Sequence, residues 1–204
     1  MNLKQVELFY SAMNLEKAKV KLEELEKVRE EILKLTRELR LLSTKAIASV
    51  HSKGDHKKYL KDAIEIFKKI LEYKKYDEIF YSLTQDAFQE FVEAYFLSKA
   101  IEERFDFEID FDVPPSSFLT GLADLVGELR RCALTSMMRN EFESAKKFLD
   151  LMEKIYNELI QFSSFPDKLV PNLRQKLDIA RSLVDRTKSD YITSKLHESL
   201  GRDR

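Results

Sequence analysis

Four acidic residues stand in apolar surroundings on two segments with helical spacing. Glu90 lies on an otherwise apolar stripe of the first segment, and Glu93 follows about one helical turn later. The stripe is formed by Leu83, Ala87, Ala94 and Leu97. Asp124 and Glu128 are one turn apart on the second segment, where Leu122, Leu125, Val126 and Leu129 surround them. Acids at such positions face the interior of a helical bundle, where carboxylates need a chemical reason to be present.

Converging carboxylates favour a divalent metal ion. Two like charges ~5 Å apart repel by about 3 kcal/mol at an effective dielectric near 20. Four of them therefore require a cation or raised pKa values. Oxygen ligands without histidine or cysteine suit Mg²⁺, with Mn²⁺ as an alternative. An ion held in this way can activate a water and stabilise a phosphate in its transition state, which is the chemistry of metal-dependent nucleases.

Spacing alone would not support this interpretation. The chain has 36 acidic residues, so pairs one turn apart arise by chance, as Glu23 and Glu26 do. Most such pairs lie on a solvated helix face. The apolar context and two glycines, Gly121 and Gly127, set three residues to either side of Asp124, distinguish this site. Glycine costs a helix ~1 kcal/mol relative to alanine, so its presence predicts a close approach to the backbone.

The composition predicts one all-α domain spanning residues 1–204, a bundle of about six to seven helices. Only 4 glycines and 4 prolines interrupt the 204 residues, which is too few for an all-β fold. Cys132 is the only cysteine, so no intrachain disulfide can form, in agreement with a reducing, cytoplasmic location. The sequence has no apolar run of signal-peptide or membrane-spanning type, so no membrane association is expected.

Hydrophobic periodicity predicts where the helices lie. A heptad seam indicates a very long first helix over about residues 2–50, part of which we expect to pack against another subunit. Its members are Leu25, Val28, Ile32, Leu35, Leu39, Leu42 and Ala46. Further helices are predicted over about 56–73, 78–104, 117–139, 140–162 and 167–196. Ser116 or Ser117 is expected to cap the fourth helix, and Asn140 with Glu143 the fifth.

The two acidic segments resemble a known family. Residues 89–94 (QEFVEA) and 121–130 (GLADLVGELR) are similar to conserved segments of the translin and translin-associated factor X family, and closer to its catalytic branch. The resemblance extends through residues 37–51 and covers most of the chain. It implies an all-α fold, a hollow homo-octamer and a Mg²⁺-dependent endoribonuclease. Glu90, Glu93 and Asp124 would be the catalytic and metal-binding acids, with Glu128 in support.

The chain departs from translin in its basic residues. Translin has a His- and Arg-containing stretch that contacts nucleic acid, whereas residues 76–85 of this chain contain no lysine, arginine or histidine. Residues 27–75 carry 14 basic and 7 acidic residues, which indicates either a nucleic-acid-facing strip or a solvated surface. The candidates for RNA contact on the first helix are Lys34, Arg37, Arg40 and Lys45.

Other catalytic arrangements find little support. None of His51, His56 and His197 forms a Glu-x-x-His pair, which disfavours a di-iron centre. No histidine is near Cys132 in sequence, so a cysteine nucleophile is not predicted. The leading hypothesis is a Mg²⁺-dependent endoribonuclease that cleaves single-stranded or short structured RNA inside a hollow oligomer. The alternative is a non-catalytic, translin-like assembly subunit that binds RNA or single-stranded DNA.

Overall fold

Helices make up nearly all of the structure, a computed structural model that describes the backbone of residues 13–202 and the side chains of residues 13–198. The helices are α1 (Leu15–His51), α2 (His56–Leu71), α3 (Asp77–Ile101), α4 (Pro115–Met138), α5 (Phe142–Leu159) and α6 (Leu173–Arg202), with a 3-10 turn at Ile160–Ser164. The described residues contain no strand. The predicted all-α fold is therefore confirmed, with six α-helices over residues 13–202.

The long helix α1 begins at an Asn14 cap and buries one stripe. The Asn14 side chain accepts a hydrogen bond of 2.9 Å from the backbone N–H of Lys17. The buried stripe consists of Ile32, Thr36, Leu39, Ser43 and Ala46. Its spacing of four and three residues matches the predicted seam, whose remaining members are half-buried. The helix is about 55 Å long at ~1.5 Å per residue, and the predicted part over residues 2–12 lies outside the described residues.

The helices pack around two large apolar clusters and a third, smaller one between the end of α4 and the start of α5. Helix α1 packs on α2 and α3, while α4 packs on α3, α5 and α6. The first cluster joins α1, α2 and the first half of α3, and its centre is Phe67, whose ring lies 4.6 Å from that of Phe91 and 4.5 Å from that of Phe88. The second joins the end of α3 to α4, α5 and α6. Helices α3 and α4 thus form the middle of the molecule.

Two predicted caps are wrong. Helix α4 begins at Pro115 instead of after Ser116 or Ser117, because proline is well suited to the first position of a helix. The Ser117 hydroxyl instead donates to the carbonyl of Gln85 on α3, at 3.0 Å. Asn140 does not cap α5, since its φ of 60° places it in the left-handed turn that follows α4.

No helix in the described part of the chain is long and apolar enough to cross a membrane.

Candidate functional site

Helices α3 and α4 approach each other most closely at Gly121. A Cβ atom on Gly121 would lie 2.7 Å from the carbonyl oxygen of Gln89 and 2.7 Å from Cβ of Val92, which is closer than real side chains come. Gly121 is one turn before Asp124, so this contact brings Asp124 beside the segment that carries Glu90 and Glu93. The expected close approach to a backbone is found at Gly121. At Gly127 the nearest atom is Leu183 Cδ1 at 4.0 Å, an ordinary contact.

The structure brings the four predicted acids into one acid cluster: Glu90, Glu93, Asp124 and Glu128. Glu93 is largely buried within it, and its pKa is raised from 4.5 to about 8. Burial away from water is the main cause, followed by the negative charges of Asp124, Glu128 and Glu90. Lys176 acts in the opposite direction. No described residue donates a hydrogen bond to Glu93 or forms an ion pair with it.

Asp124 has two hydrogen-bond donors from different helices. The ammonium of Lys176, in the first turn of α6, lies 2.6 Å from Oδ1 and 2.8 Å from Oδ2. The side-chain amide of Gln89 on α3 donates to Oδ2 at 2.6 Å. The Lys176 and Asp124 side chains are 22% and 28% exposed, so this ion pair is only partly screened by water.

Glu90 and Glu128 are each held by a residue of α1. Arg40 Nε donates to Oε1 of Glu90 at 2.8 Å, and His51 Nε2 contacts Oε2 of Glu128. The His51 ring is 8% exposed, whereas the Arg40 side chain is 55% exposed and its ion pair is weakened by solvent. Each contact takes up one oxygen and leaves the second oxygen of the carboxylate without a partner among the described residues.

Three residues of the site were not predicted from the sequence: His51, Lys176 and Gln89. Gln89 could have been found, since it adjoins Glu90 and precedes Glu93 by one turn. His51 and Lys176 carry no local signal because they come from α1 and α6, far away in sequence. His51 Nδ1 also lies 4.0 Å from Sγ of Cys132, although burial raises the pKa of this thiol to about 12. The histidine that is missing near Cys132 in sequence is therefore supplied in space by α1.

The carboxylates offer the right atoms for a divalent cation but are not gathered around one point. Among residues 13–198, no group of three or more histidine, cysteine, aspartate or glutamate side chains converges tightly enough to hold a metal ion. Oxygen donors alone fit Mg²⁺ or Mn²⁺, and unpaired Glu93 faces three like charges that a cation would neutralise. The chemistry of the donor set therefore suits a hard divalent ion, whereas the described side chains are not arranged around one point.

Comparison with known proteins identifies the family. The Translin family model matches residues 27–189. The chain belongs to the translin family. An uncharacterised protein of Methanocaldococcus jannaschii is 36% identical over 188 residues, which cover 86% of this chain and 82% of that protein.

Solved structures share the fold of this translin-family chain. The crystal structure of AfC3PO is 51% identical, with a TM-score of 0.88, and covers 91% of this chain and 98% of the other. A structure of an AfC3PO–duplex RNA complex is 50% identical, with a TM-score of 0.89 and the same coverage. Apo-NeC3PO is 27% identical over 91% of this chain and 99% of the other, with a TM-score of 0.78. The resemblance to the translin family is thus confirmed.

The four predicted RNA-binding residues of this translin-family chain differ in their surroundings. All four are exposed on α1. Lys34 and Arg37 form no ion pair with any described residue. The ammonium of Lys45 lies 5.9 Å from the ring centre of Tyr59, and Arg40 contacts Glu90. Arg40 is therefore part of the acid cluster's surroundings as well as a candidate for RNA contact.

Proposed function

We propose that this chain is a Mg²⁺-dependent endoribonuclease of the branch that resembles translin-associated factor X, with Mn²⁺ as an alternative ion. Its substrate is single-stranded or short structured RNA, and it works as a hollow homo-octamer. The observation that carries the proposal is Glu93, a largely buried carboxyl whose pKa is raised to about 8 among three further acids. RNA binding alone does not require a buried, unpaired carboxyl beside three other acids.

Each member of the acid cluster has a distinct place in the proposed site. Glu93 would be a central ligand, and Glu90 and Glu128 would each offer the oxygen that Arg40 or His51 leaves open. Asp124 would offer the acceptor positions on its two oxygens that Lys176 and Gln89 do not occupy. A bound divalent ion supplies a Lewis acid that activates water and stabilises charge on the phosphate. Arg40, His51 and Lys176 hold the carboxylates in place.

RNA as the substrate is supported by one of the similar structures, in which AfC3PO is in complex with duplex RNA. This chain is 50% identical to that protein, with a TM-score of 0.89, so the backbone that would face RNA is nearly the same in both. Lys34 and Arg37 are exposed on α1, about two turns and one turn before Arg40, respectively, and Arg40 reaches Glu90. A phosphate backbone that follows these cations along α1 would run towards the acid cluster.

A second function, RNA binding without cleavage, is favoured by a different observation. Three of the four acids already have a basic partner, and the described side chains contain no formed metal site. If these ion pairs persist in solution, the cluster serves to join α1 and α6 to the middle of the bundle. The chain would then be an assembly subunit that binds RNA or single-stranded DNA.

Cleavage of a labelled RNA decides between the two functions. We expect the purified chain to cut in Mg²⁺ and to stop in EDTA. Glu93→Gln and Asp124→Asn should each abolish cutting while the assembly mass and RNA affinity stay the same. Asp86→Asn is the matched control, because it removes an acid from an exposed position of α3. Cleavage that persists at the original rate in Asp124→Asn would refute the proposed site, and a wild-type chain that binds RNA without cutting supports the second function.

A further inference from the structure

A cavity of about 480 Å³ opens at one end of the bundle, where α1, α3 and α4 end and α5 begins. His51 lines this end cavity and contacts Glu128 through Nε2, but none of the four acids of the cluster lines it. We propose that the end cavity binds a small organic phosphate, a molecule with a planar ring and one phosphate group. This ligand site does not depend on the proposed nuclease.

The walls of the end cavity suit a ring. Five half-buried apolar side chains line it: Val50, Ile101, Phe105, Phe148 and Leu151. The ring of Phe105 is held in place by Phe107, whose ring centre lies 5.2 Å away at a steep angle. An apolar lining with a few polar groups is typical of small-molecule sites, and the volume lies within their usual range of about 300–1,000 Å³.

Two cations without an ion pair suit the phosphate. Of the five charged residues that line the end cavity, Lys147 and Glu103 bind each other, with 2.7 Å between ammonium and carboxylate. Lys53, Arg139 and Glu141 form no ion pair with a described residue, and together they carry a net charge of +1. A guanidinium can bind two oxygens of one phosphate, and an ammonium adds a point charge beside it. A phosphate dianion would therefore be held between Lys53 and Arg139.

Lys53 occupies a backbone position that favours glycine. Its φ is 57°, in the left-handed region just after the end of α1. Helices commonly place glycine at this point, because other residues are strained there. Glu103 has a φ of 55° at the same point of α3, and its side chain binds Lys147. The side chain of Lys53 has no such partner among the described residues, and a bound phosphate would supply one.

Ser136 offers a buried hydroxyl without a partner among the described residues. The residue is 6% exposed and lines the end cavity. Hydroxyls within a helix often donate to the carbonyl four residues earlier, as Thr135 does to Arg131 at 2.8 Å. Ser136 forms no such bond, and a buried polar group without a partner is costly. A nitrogen or oxygen atom on the ring of the ligand would complete this hydrogen bond.

Calorimetric titration of the full chain in its native assembly tests the proposal, with adenosine 5′-monophosphate (AMP) as the ligand. The buffer contains EDTA, so that no divalent ion links the phosphate to the acid cluster. We expect one site per chain, with a Kd below about 1 mM. Adenosine and inorganic phosphate should each bind at least about tenfold more weakly, because each lacks one part of the ligand. Indole-3-acetate has a ring and a carboxylate, and tighter binding of this anion than of AMP would overturn the choice of phosphate.

Three substitutions assign the bound phosphate to the end cavity. Arg139→Gln should weaken AMP binding about tenfold, since charge-assisted hydrogen bonds are lost. Ser136→Ala should weaken it about threefold. Lys53→Gly should weaken it about fivefold. The same glycine should raise the Tm by about 2–4 °C, because it relieves the left-handed backbone. A lysine that served only the fold would not combine higher stability with lower affinity for AMP.

Arg131→Gln is the matched control for Arg139→Gln. Arg131 is exposed about two turns earlier on α4 and does not line the end cavity. Its substitution should change the affinity for AMP less than about twofold. Equal losses in the two arginine variants, or unchanged affinity in Arg139→Gln and Lys53→Gly, would overturn the proposal.

The outcomes separate the ligand site from the proposed function. Glu93→Gln should bind AMP as the wild type does, although it should not cut RNA. A wild-type chain that cuts RNA but binds no AMP would overturn the ligand site and leave the nuclease in place. A chain that binds AMP in the end cavity without cutting RNA would have the opposite meaning.

Discussion

Glu93 is a carboxyl whose surroundings oppose its ionisation. Its apolar position on α3 removes it from water, and three neighbouring acids disfavour its ionisation, so its pKa rises to about 8. The other members of the cluster each contact a basic side chain: Arg40, His51 or Lys176. Glu93 has none among the described residues. This carboxyl therefore favours its protonated form at neutral pH.

The first prediction concerns the pH dependence of stability. The folded state binds the Glu93 proton more tightly than the unfolded chain, whose carboxyl has its ordinary pKa near 4.5. Its contribution to the free energy of unfolding therefore falls as pH rises from about 4.5 to about 8. In EDTA, Glu93→Gln should raise the unfolding midpoint at pH 9 and change it little at pH 5. Chemical denaturation of both proteins across this range measures the difference.

The control for this experiment is Asp86→Asn, an exposed acid on the same helix. It should give a difference from the wild type that varies little between pH 5 and pH 9. An equal effect of Glu93→Gln at both pH values would show that Glu93 ionises normally in the folded protein.

The second prediction concerns RNA affinity. Lys34→Ala combined with Arg37→Ala should weaken binding to a short RNA and reduce the slope of log affinity against log salt by about 1.4 to 1.8, if each residue neutralises one phosphate. Both side chains are exposed and without ion pairs among the described residues, so their loss should leave the fold intact. Filter binding at several salt concentrations gives the slope. An unchanged slope would exclude this part of α1 from the RNA interface.

Helices α3 and α4 determine whether the acid cluster forms at all. The four acids lie on these two neighbouring helices. The distance between the helices is set where the α3 backbone contacts Gly121. Helix α1 supplies Arg40 and His51 from one side, and α6 supplies Lys176 from the other. The cluster is thus enclosed by elements that pack on the α3–α4 pair. A small change in helix spacing should affect every member of the site.

The third prediction separates the two glycines of α4. Gly121→Ala should destabilise the protein by about 1–3 kcal/mol through overpacking, offset in part by the ~1 kcal/mol that alanine contributes to a helix. Gly127→Ala meets only an ordinary contact at 4.0 Å and should be neutral or stabilising by up to ~1 kcal/mol. Denaturant unfolding measures both. Equal effects of the two substitutions would show that Gly121 does not set the helix spacing.

At the scale of the whole molecule, the first half of α1 is largely exposed among the described residues. Leu15 is 91% exposed and Leu22 is 65% exposed, although both continue the register of the buried Thr36 and Ser43. Few described contacts reach this segment, among them an ion pair of Lys21 with Glu78. An apolar helix face that extends beyond its own subunit is typical of an interface between copies.

The fourth prediction is that the chain assembles through this segment. An octamer of 24.0 kDa chains has a mass of about 190 kDa, which light scattering should report at micromolar concentration. Leu15→Glu with Leu22→Glu should lower the mass by placing charges on the apolar face. Leu41→Glu is the control, since Leu41 is an isolated exposed residue of the same helix beside Arg40. A wild-type mass of 24 kDa would refute homo-oligomer assembly.

The sequence by itself determined the helices and the identity of the four acids. A period of 3.6 residues in hydrophobicity is a local property, so the α1 seam could be found from spacing, and the acidic positions on α3 and α4 from spacing together with their apolar neighbours. The ends of helices were less certain, because proline, serine and asparagine compete for capping positions over a few residues. Helix α4 begins at Pro115 instead of after the expected Ser116 or Ser117. Asn140 lies in a left-handed turn instead of capping α5.

Only the tertiary structure decided which basic residues face these acids. Lys176 is 52 residues from Asp124 in sequence, and His51 is 77 residues from Glu128. No local pattern marks either residue, because an isolated lysine or histidine on an amphipathic helix looks like any solvated charge. Their partners depend on how α1 and α6 pack on α3 and α4, which is fixed by long-range contacts such as the one at Gly121. The acids could be predicted from periodicity, whereas their counter-charges follow from packing geometry.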